Sequence, residues 1–271
     1  MRPLKFHPIL KQTLWGGERI IPYKELASGL SRVGESWELS GMPGSESVVA
    51  EGPWAGSTLS ELIGRFGAEL LGKANYARFG QEFPLLVKFI DAREDLSIQV
   101  HPDDELARKR HGKSGKCEMW YVLEAEPGAS LLTGFSRPIA PAEYERRVAD
   151  NTLTDVLNRQ AIASGDVFYL PAGRVHSIGK GSFIVEIQQS SDITYRIYDF
   201  DRRDAAGNSR ELHTELAREA IDFESSENSR ITYAPENNQE VRLVTTPYFT
   251  TSLYTLTART RCDWSATDSF V

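Results

Sequence analysis

Residues 165–179 read "GDVFYLPAGRVHSIG". An aspartate follows a glycine, then come four residues rich in apolar and aromatic types, and a Pro-x-Gly turn closes them before His176. The pattern is a short β-strand, a tight turn and a histidine at the mouth of whatever follows. Working outward, "FPLLVKFI", "LSIQV", "EMWYVLE", "ASLLTGF", "SFIVEIQ" and "TYRIYDF" are further short β-type runs closed by Gly, Pro, Asp or Ser. The fold class is therefore mainly β.

Helical spacing occurs in three patches. "STLSELIGRFGAELLG", "APAEYERRVADNTLTDVLNRQ" and "ELHTELAREAIDF" repeat apolar residues every three to four positions after Ser, Pro or Thr start signals. They read as peripheral helices on the sheets. Segment 224–240 is polar and forms the natural linker, dividing a unit at 1–223 from a second strand set at 241–271 containing "VRLVTT" and "FTTSLYTLTA". The last residues, "TDSFV", look like a strand just starting, so the C-terminal β unit is expected to be partial.

The chain has 271 residues, of which 40% are hydrophobic and 25% charged, enough for a sizeable core. It lacks a run near the ~20 apolar residues of a membrane span and a signal-peptide pattern, which points to a cytoplasmic protein without a membrane partner. The formal net charge of −7, with both signs interspersed, argues against nucleic acid. An anionic substrate would need Lys and Arg gathered locally. With only Cys117 and Cys262, any metal must be held by nitrogen and oxygen.

Strand parity gathers such ligands. In "IQVHPDD" (98–104), Gln99 and His101 share a face. In "KCEMWYV", Lys116, Glu118 and Trp120 share another, with Cys117 opposite. With His176, these residues offer two imidazoles, one carboxylate and one amide oxygen to a single divalent cation, a set suited to Zn²⁺ or another first-row metal. Each has a plainer reading. A strand histidine is commonly a hydrogen-bonded core residue, and the acids after His101 can simply start a helix. Glu118 is harder to dismiss, because carboxylates are seldom buried without a partner.

The spacing Gly165-x5-Pro171-x-Gly173-x2-His176 matches the second cupin motif. Together with "LSIQVHPDD", "GKCEMWYV", "VEIQQSSDITYRIYDFDR", "TLWGG" and "GESWELS", it closely resembles the type I phosphomannose isomerases in their short bacterial form, over about residues 5–222. The resemblance implies a cupin jelly roll, a zinc held by Gln99, His101, Glu118 and His176, and Lys116 as acid/base. It also implies Arg196 and Asp192 in the active site. Two departures stand out: Gly115 replaces the histidine that precedes the lysine in long forms, and their helical insertion is missing.

Aldose–ketose isomerisation moves a proton between C1 and C2 through an enediol, which needs an electrophile and a base. A cation with an open position meets the first need, and Lys116, beside it, the second. Lys88, a charge inside an apolar strand, is expected to be paired or functional, and with Arg196 it gathers positive charge for a sugar phosphate. Glu186 in "VEIQQ" is a further substrate-side candidate and the next choice of base. The alternatives are a non-catalytic sugar-phosphate-binding cupin and a metal-dependent cupin of other chemistry. Either a monomer or a homodimer is compatible with the sequence.

Overall fold

Alternation of apolar and polar residues in the β-type runs forces two-sided sheets, because neighbouring side chains leave a strand on opposite faces. The structure is a computed structural model that describes residues 3–224, 228–264 and 267–270. Its first strands are β1 (Ile9–Gly17), β2 (Val33–Met42), β3 (Ser45–Glu46), β4 (Leu85–Ala92) and β5 (Ile98–Val100). Next come β6 (Glu118–Ala125), β7 (Ser130–Phe135), β8 (Leu157–Ala161), β9 (Val167–Leu170) and β10 (His176–Ile178). The remainder are β11 (Ser182–Gln189), β12 (Tyr195–Tyr198), β13 (Arg230–Ile231), β14 (Glu240–Thr245) and β15 (Thr250–Tyr254). The helices are α1 (Ile20–Tyr23), α2 (Leu59–Phe66), α3 (Ala68–Leu71), α4 (Lys73–Phe79), α5 (Asp104–His111), α6 (Pro141–Ala149) and α7 (Thr214–Ala220).

An eight-stranded sheet in the order β13-β9-β6-β11-β4-β1-β2-β3 lies against a five-stranded sheet in the order β12-β5-β10-β7-β8. Their strand pairings are antiparallel, and the two sheets form the expected jelly roll. Three apolar layers result. Trp15, Ile90, Val122, Phe168 and Ile184 fill the space between the sheets. Ile98, Val100, Tyr195 and Ile197 on the outer face of the smaller sheet meet Tyr144 of α6 and Ala217 of α7. Cys117, Met119 and Val167 on the outer face of the larger sheet meet α2 and the β14–β15 hairpin through Leu59, Leu243 and Phe249.

Two expectations change in detail. The helical patch at 57–72 is two helices, broken where Gly67 takes a positive φ of 49°. In the patch at 140–160, α6 ends at Ala149, and "LNRQA" forms β8 because Leu157 pairs with Phe135 across the sheet edge. Within the polar segment 224–240, β13 pairs with β9, while residues 225–227 lie outside the described residues. β14 and β15 form a two-stranded sheet of their own. The terminal "TDSFV" does not start a strand over its described residues 267–270, and Val271 lies outside the described residues. Among the described residues no helix is long and apolar enough to cross a membrane.

Candidate metal centre and active site

The predicted parity places the site between the sheets. His176 opens β10 directly opposite Gln99 of β5, and Gln99 is also opposite Arg196 of β12, so these three side chains leave the same face. Across the gap, β6 begins with Glu118. The turn before His176 depends on Gly173, whose φ is 85° and where a Cβ would stand 3.0 Å from the Ala220 carbonyl oxygen. The Gly173 N–H donates to the His101 carbonyl at 2.9 Å, tying the two histidine-bearing segments together.

His101, Glu118 and His176 are all buried, and each offers a ligand atom within 4.8 Å of the others. The Nδ1 atoms of His101 and His176 lie 2.8 Å from the backbone carbonyls of Ile193 and Arg174. A carbonyl can only accept, so each Nδ1 carries the proton and each Nε2 turns a lone pair inward. Burial first, then the charge of Lys116, holds the His101 pKa well below its ordinary value; burial also lowers that of His176. Both rings are thus neutral, as metal ligands must be.

His101 Nε2 and both Glu118 carboxylate oxygens are buried without a hydrogen-bond partner. Buried acceptors are costly unless something electropositive joins them; Lys116, ion-paired with Glu118 Oε2 at 3.2 Å, offsets part of that cost, and a divalent cation fits the acceptors turned toward the same point. Gln99 completes it: its amide nitrogen is 3.3 Å from His176 Nε2, and turning the amide over presents its oxygen to the same point.

Lys116 is also buried, with Nζ 3.2 Å from Glu118 Oε2. Behind it runs a second charged row. Lys88 Nζ lies 2.8 Å from Glu186 Oε1 and 3.5 Å from Glu35 Oε1, while Trp120 Nε1 donates to Glu186 Oε2 at 2.8 Å. Burial opposes the charge on Lys88, but Glu186 and Glu35 outweigh it and hold its pKa above the usual lysine value. The expectation that Lys88 is paired or functional therefore resolves as paired, with two carboxylates.

Arg196 donates from Nη1 to the Glu211 carbonyl at 2.9 Å, and its Nε is buried without a partner. Burial, then the neighbouring Arg210, pulls its pKa below that of an ordinary arginine. Asp192 is not brought to this point: it is exposed and pairs with Lys113 at 2.8 Å. Glu35 escaped the sequence reading, although "GESWELS" displays it. Its significance lies in β2 pairing with β4, a contact between distant segments.

A cupin-like jelly roll that gathers the buried His101, Glu118 and His176 at one point, with half-buried Gln99 beside them, is a scaffold with a possible metal site. The family model for the catalytic domain of type I phosphomannose isomerase matches residues 4–133. A mannose-6-phosphate isomerase of Bacillus subtilis is 39% identical over 224 residues, covering 82% of this chain and 69% of its own. One from Streptococcus mutans is 37% identical over 251 residues, covering 92% and 77%. A crystal structure of a mannose 6-phosphate isomerase from Bacillus subtilis superposes with a TM-score of 0.83 at 32% identity, covering 92% of this chain and 79% of that one. The chain belongs to the type I phosphomannose isomerase family.

Proposed function

We propose that the chain interconverts mannose 6-phosphate and fructose 6-phosphate, using one divalent cation, most naturally zinc, held by Gln99, His101, Glu118 and His176. The observation that carries this reading is the convergence of buried imidazole and carboxylate acceptor atoms, none of them hydrogen-bonded at His101 Nε2 or on Glu118, around a buried lysine. The names of the relatives support the substrate. A cytoplasmic location goes with that substrate. The division into a catalytic unit at 1–223, a connector at 224–240 and a C-terminal β unit at 241–271 belongs to the same proposal. The separate β14–β15 sheet supports it.

When bound, the cation supplies the electrophile that polarises the sugar oxygens at C1 and C2. Lys116 takes the proton from one carbon at Nζ and returns it to the next, and its burial excludes water from the exchange. Glu186 is locked between Lys88 and Trp120, so its carboxylate faces the substrate in one fixed position or serves as the alternative base. Arg196 offers a planar fork to the phosphate or to the oxygen that gains negative charge. Lys88 acts on the substrate side through Glu186, which it holds in place, and Asp192 is assigned to the approach to the site, next to Lys113.

The test is turnover of mannose 6-phosphate in a coupled assay. Metal-stripped protein should fall to background and recover on adding zinc, and Glu118→Gln should bind metal more weakly while regaining part of its activity in excess zinc. Full turnover by metal-stripped protein would overturn the reading.

A further inference from the structure

Three consecutive backbone N–H groups around Lys116 are each tied down. Gly115 N–H donates to Asp104 Oδ1 at 2.9 Å, Lys116 N–H to the Pro102 carbonyl at 3.1 Å, and Cys117 N–H to Gln189 Oε1 at 2.8 Å. The partners are tied to one another in turn. Gln189 Nε2 donates to Asp104 Oδ1 at 3.0 Å, and the Gln189 N–H returns to the Cys117 carbonyl at 3.1 Å. The remaining oxygen of Asp104, Oδ2, accepts from the Tyr248 hydroxyl at 2.9 Å, and Tyr248 sits in the turn between β14 and β15.

Position 115 is part of the same device. A Cβ on Gly115 would stand 2.4 Å from the Asp103 carbonyl carbon and 2.5 Å from the Asp104 nitrogen, so only glycine lets this segment lie flat on the first turn of α5. Asp103 performs the helix-starting task, accepting from Leu106 N–H at 2.8 Å. Asp104 is thereby free to face the Lys116 segment.

We infer that Asp104, with Gln189 and Tyr248, is a positioning residue for the reaction: the three fix the Lys116 backbone so that a flexible four-carbon stem delivers Nζ to one place. The inference rests on Lys116 being the acid/base. Lysine carries large rotamer freedom, and a misplacement of about 1 Å in a reacting group can cost on the order of 100-fold in rate. Pinning the backbone removes one source of that error. It also makes the C-terminal hairpin, remote in sequence, part of the support of the catalytic strand.

The experiment is a double-mutant cycle on the full chain, measuring kcat, KM for mannose 6-phosphate and zinc content. Asp104→Ala should lower kcat by about 10-fold to 100-fold with KM and zinc near wild type. Asp104→Asn keeps an oxygen for Gly115 and Gln189 and an N–H for Tyr248, and should recover most of the rate. In a Lys116→Met background, Asp104→Ala should lower kcat no further, because the aspartate acts through the lysine. Should the alanine variant not fold, Tyr248→Phe carries the same expectation at about two-fold to five-fold, the loss of one hydrogen bond.

Wild-type kcat in Asp104→Ala or in Tyr248→Phe overturns the inference. So does an effect that multiplies with that of Lys116→Met, or one that falls on zinc content instead of kcat. Full turnover in Lys116→Met alone marks a different failure, that of the acid/base assignment, and takes the inference with it.

Discussion

The space between the two sheets is built in two halves, and adjacent rows of the same three strands separate them. Val122, Ile184 and Ile90 lie side by side across β6, β11 and β4. Two residues along, the row becomes Trp120, Glu186 and Lys88; two further, it is Glu118, Gln188 and Leu86. The first row belongs to a dry core. The other two place charges in equally buried positions, at a cost that hydrophobic residues of similar volume would avoid. A fold needs only the first arrangement; the second is what the proposed metal and sugar-phosphate site would require.

The largest expected effect breaks the dry half. Ile184→Ala should lower unfolding stability by roughly 2–5 kcal/mol in a denaturant titration, with kcat of the folded fraction unchanged. Two residues from a charged row, this substitution asks whether the halves are energetically separate. Loss of kcat in proportion to stability would show that they are not.

The mirror experiment is Lys116→Met. Here kcat should fall by roughly 100-fold or more, equivalent to about 2.7 kcal/mol, while zinc stays near one per chain and the midpoint of unfolding hardly moves. If turnover is retained, the base lies elsewhere, and Glu186 is the next residue to change.

Arg196→Lys sharpens the comparison at the rim of the polar half. It keeps the charge and loses the fork, so KM should rise about ten-fold, near 1.4 kcal/mol, without loss of metal. A fall in zinc content instead would place the arginine among the supports of the metal centre.

The smallest effect concerns acid. His101 is held well below its ordinary pKa in the fold, chiefly by burial, so the unfolded chain binds a proton that the native state refuses. The contribution is present above about pH 6.5 and is lost as the pH falls. For metal-free protein it amounts to about 1 kcal/mol between pH 6.5 and 5.5, with His176 acting in the same direction. Thermal melts of chelated protein across that range should show the loss. A flat profile would mean that the rings are not held neutral.

Those properties of the site that depend on local alternation could be read from the sequence. The shared face of Gln99 and His101, and that of Lys116, Glu118 and Trp120, follow from two-residue periodicity, and the turn before His176 follows from Pro171 and Gly173. What could not be read depends on register between distant strands. Lys88 announced that it needed a partner, but Glu35 and Glu186 are its partners only because β2 and β11 flank β4. "LNRQ" falls in a helical pattern because Leu153, Val156 and Leu157 stand at helical spacing; pairing with β7 overrides that preference. Asp104 reads with Asp103 as part of a helix start. Nothing in the sequence says that one of two adjacent aspartates caps the helix and the other grips the segment leading into β6, eleven residues on.

One detail of the metal centre bears on how this chain tolerates sequence drift. The partners that set the tautomers of His101 and His176 are main-chain carbonyls, at Ile193 and Arg174. A side-chain carboxylate in that role can be lost by a single codon change. A carbonyl is supplied by whichever residue occupies the position, so a substitution at buried 174 or 193 that the packing accepts leaves both imidazoles aimed at the same point. Natural variation at these two positions is therefore open to selection for other purposes, and only a change that moves the backbone itself can turn a ligand away.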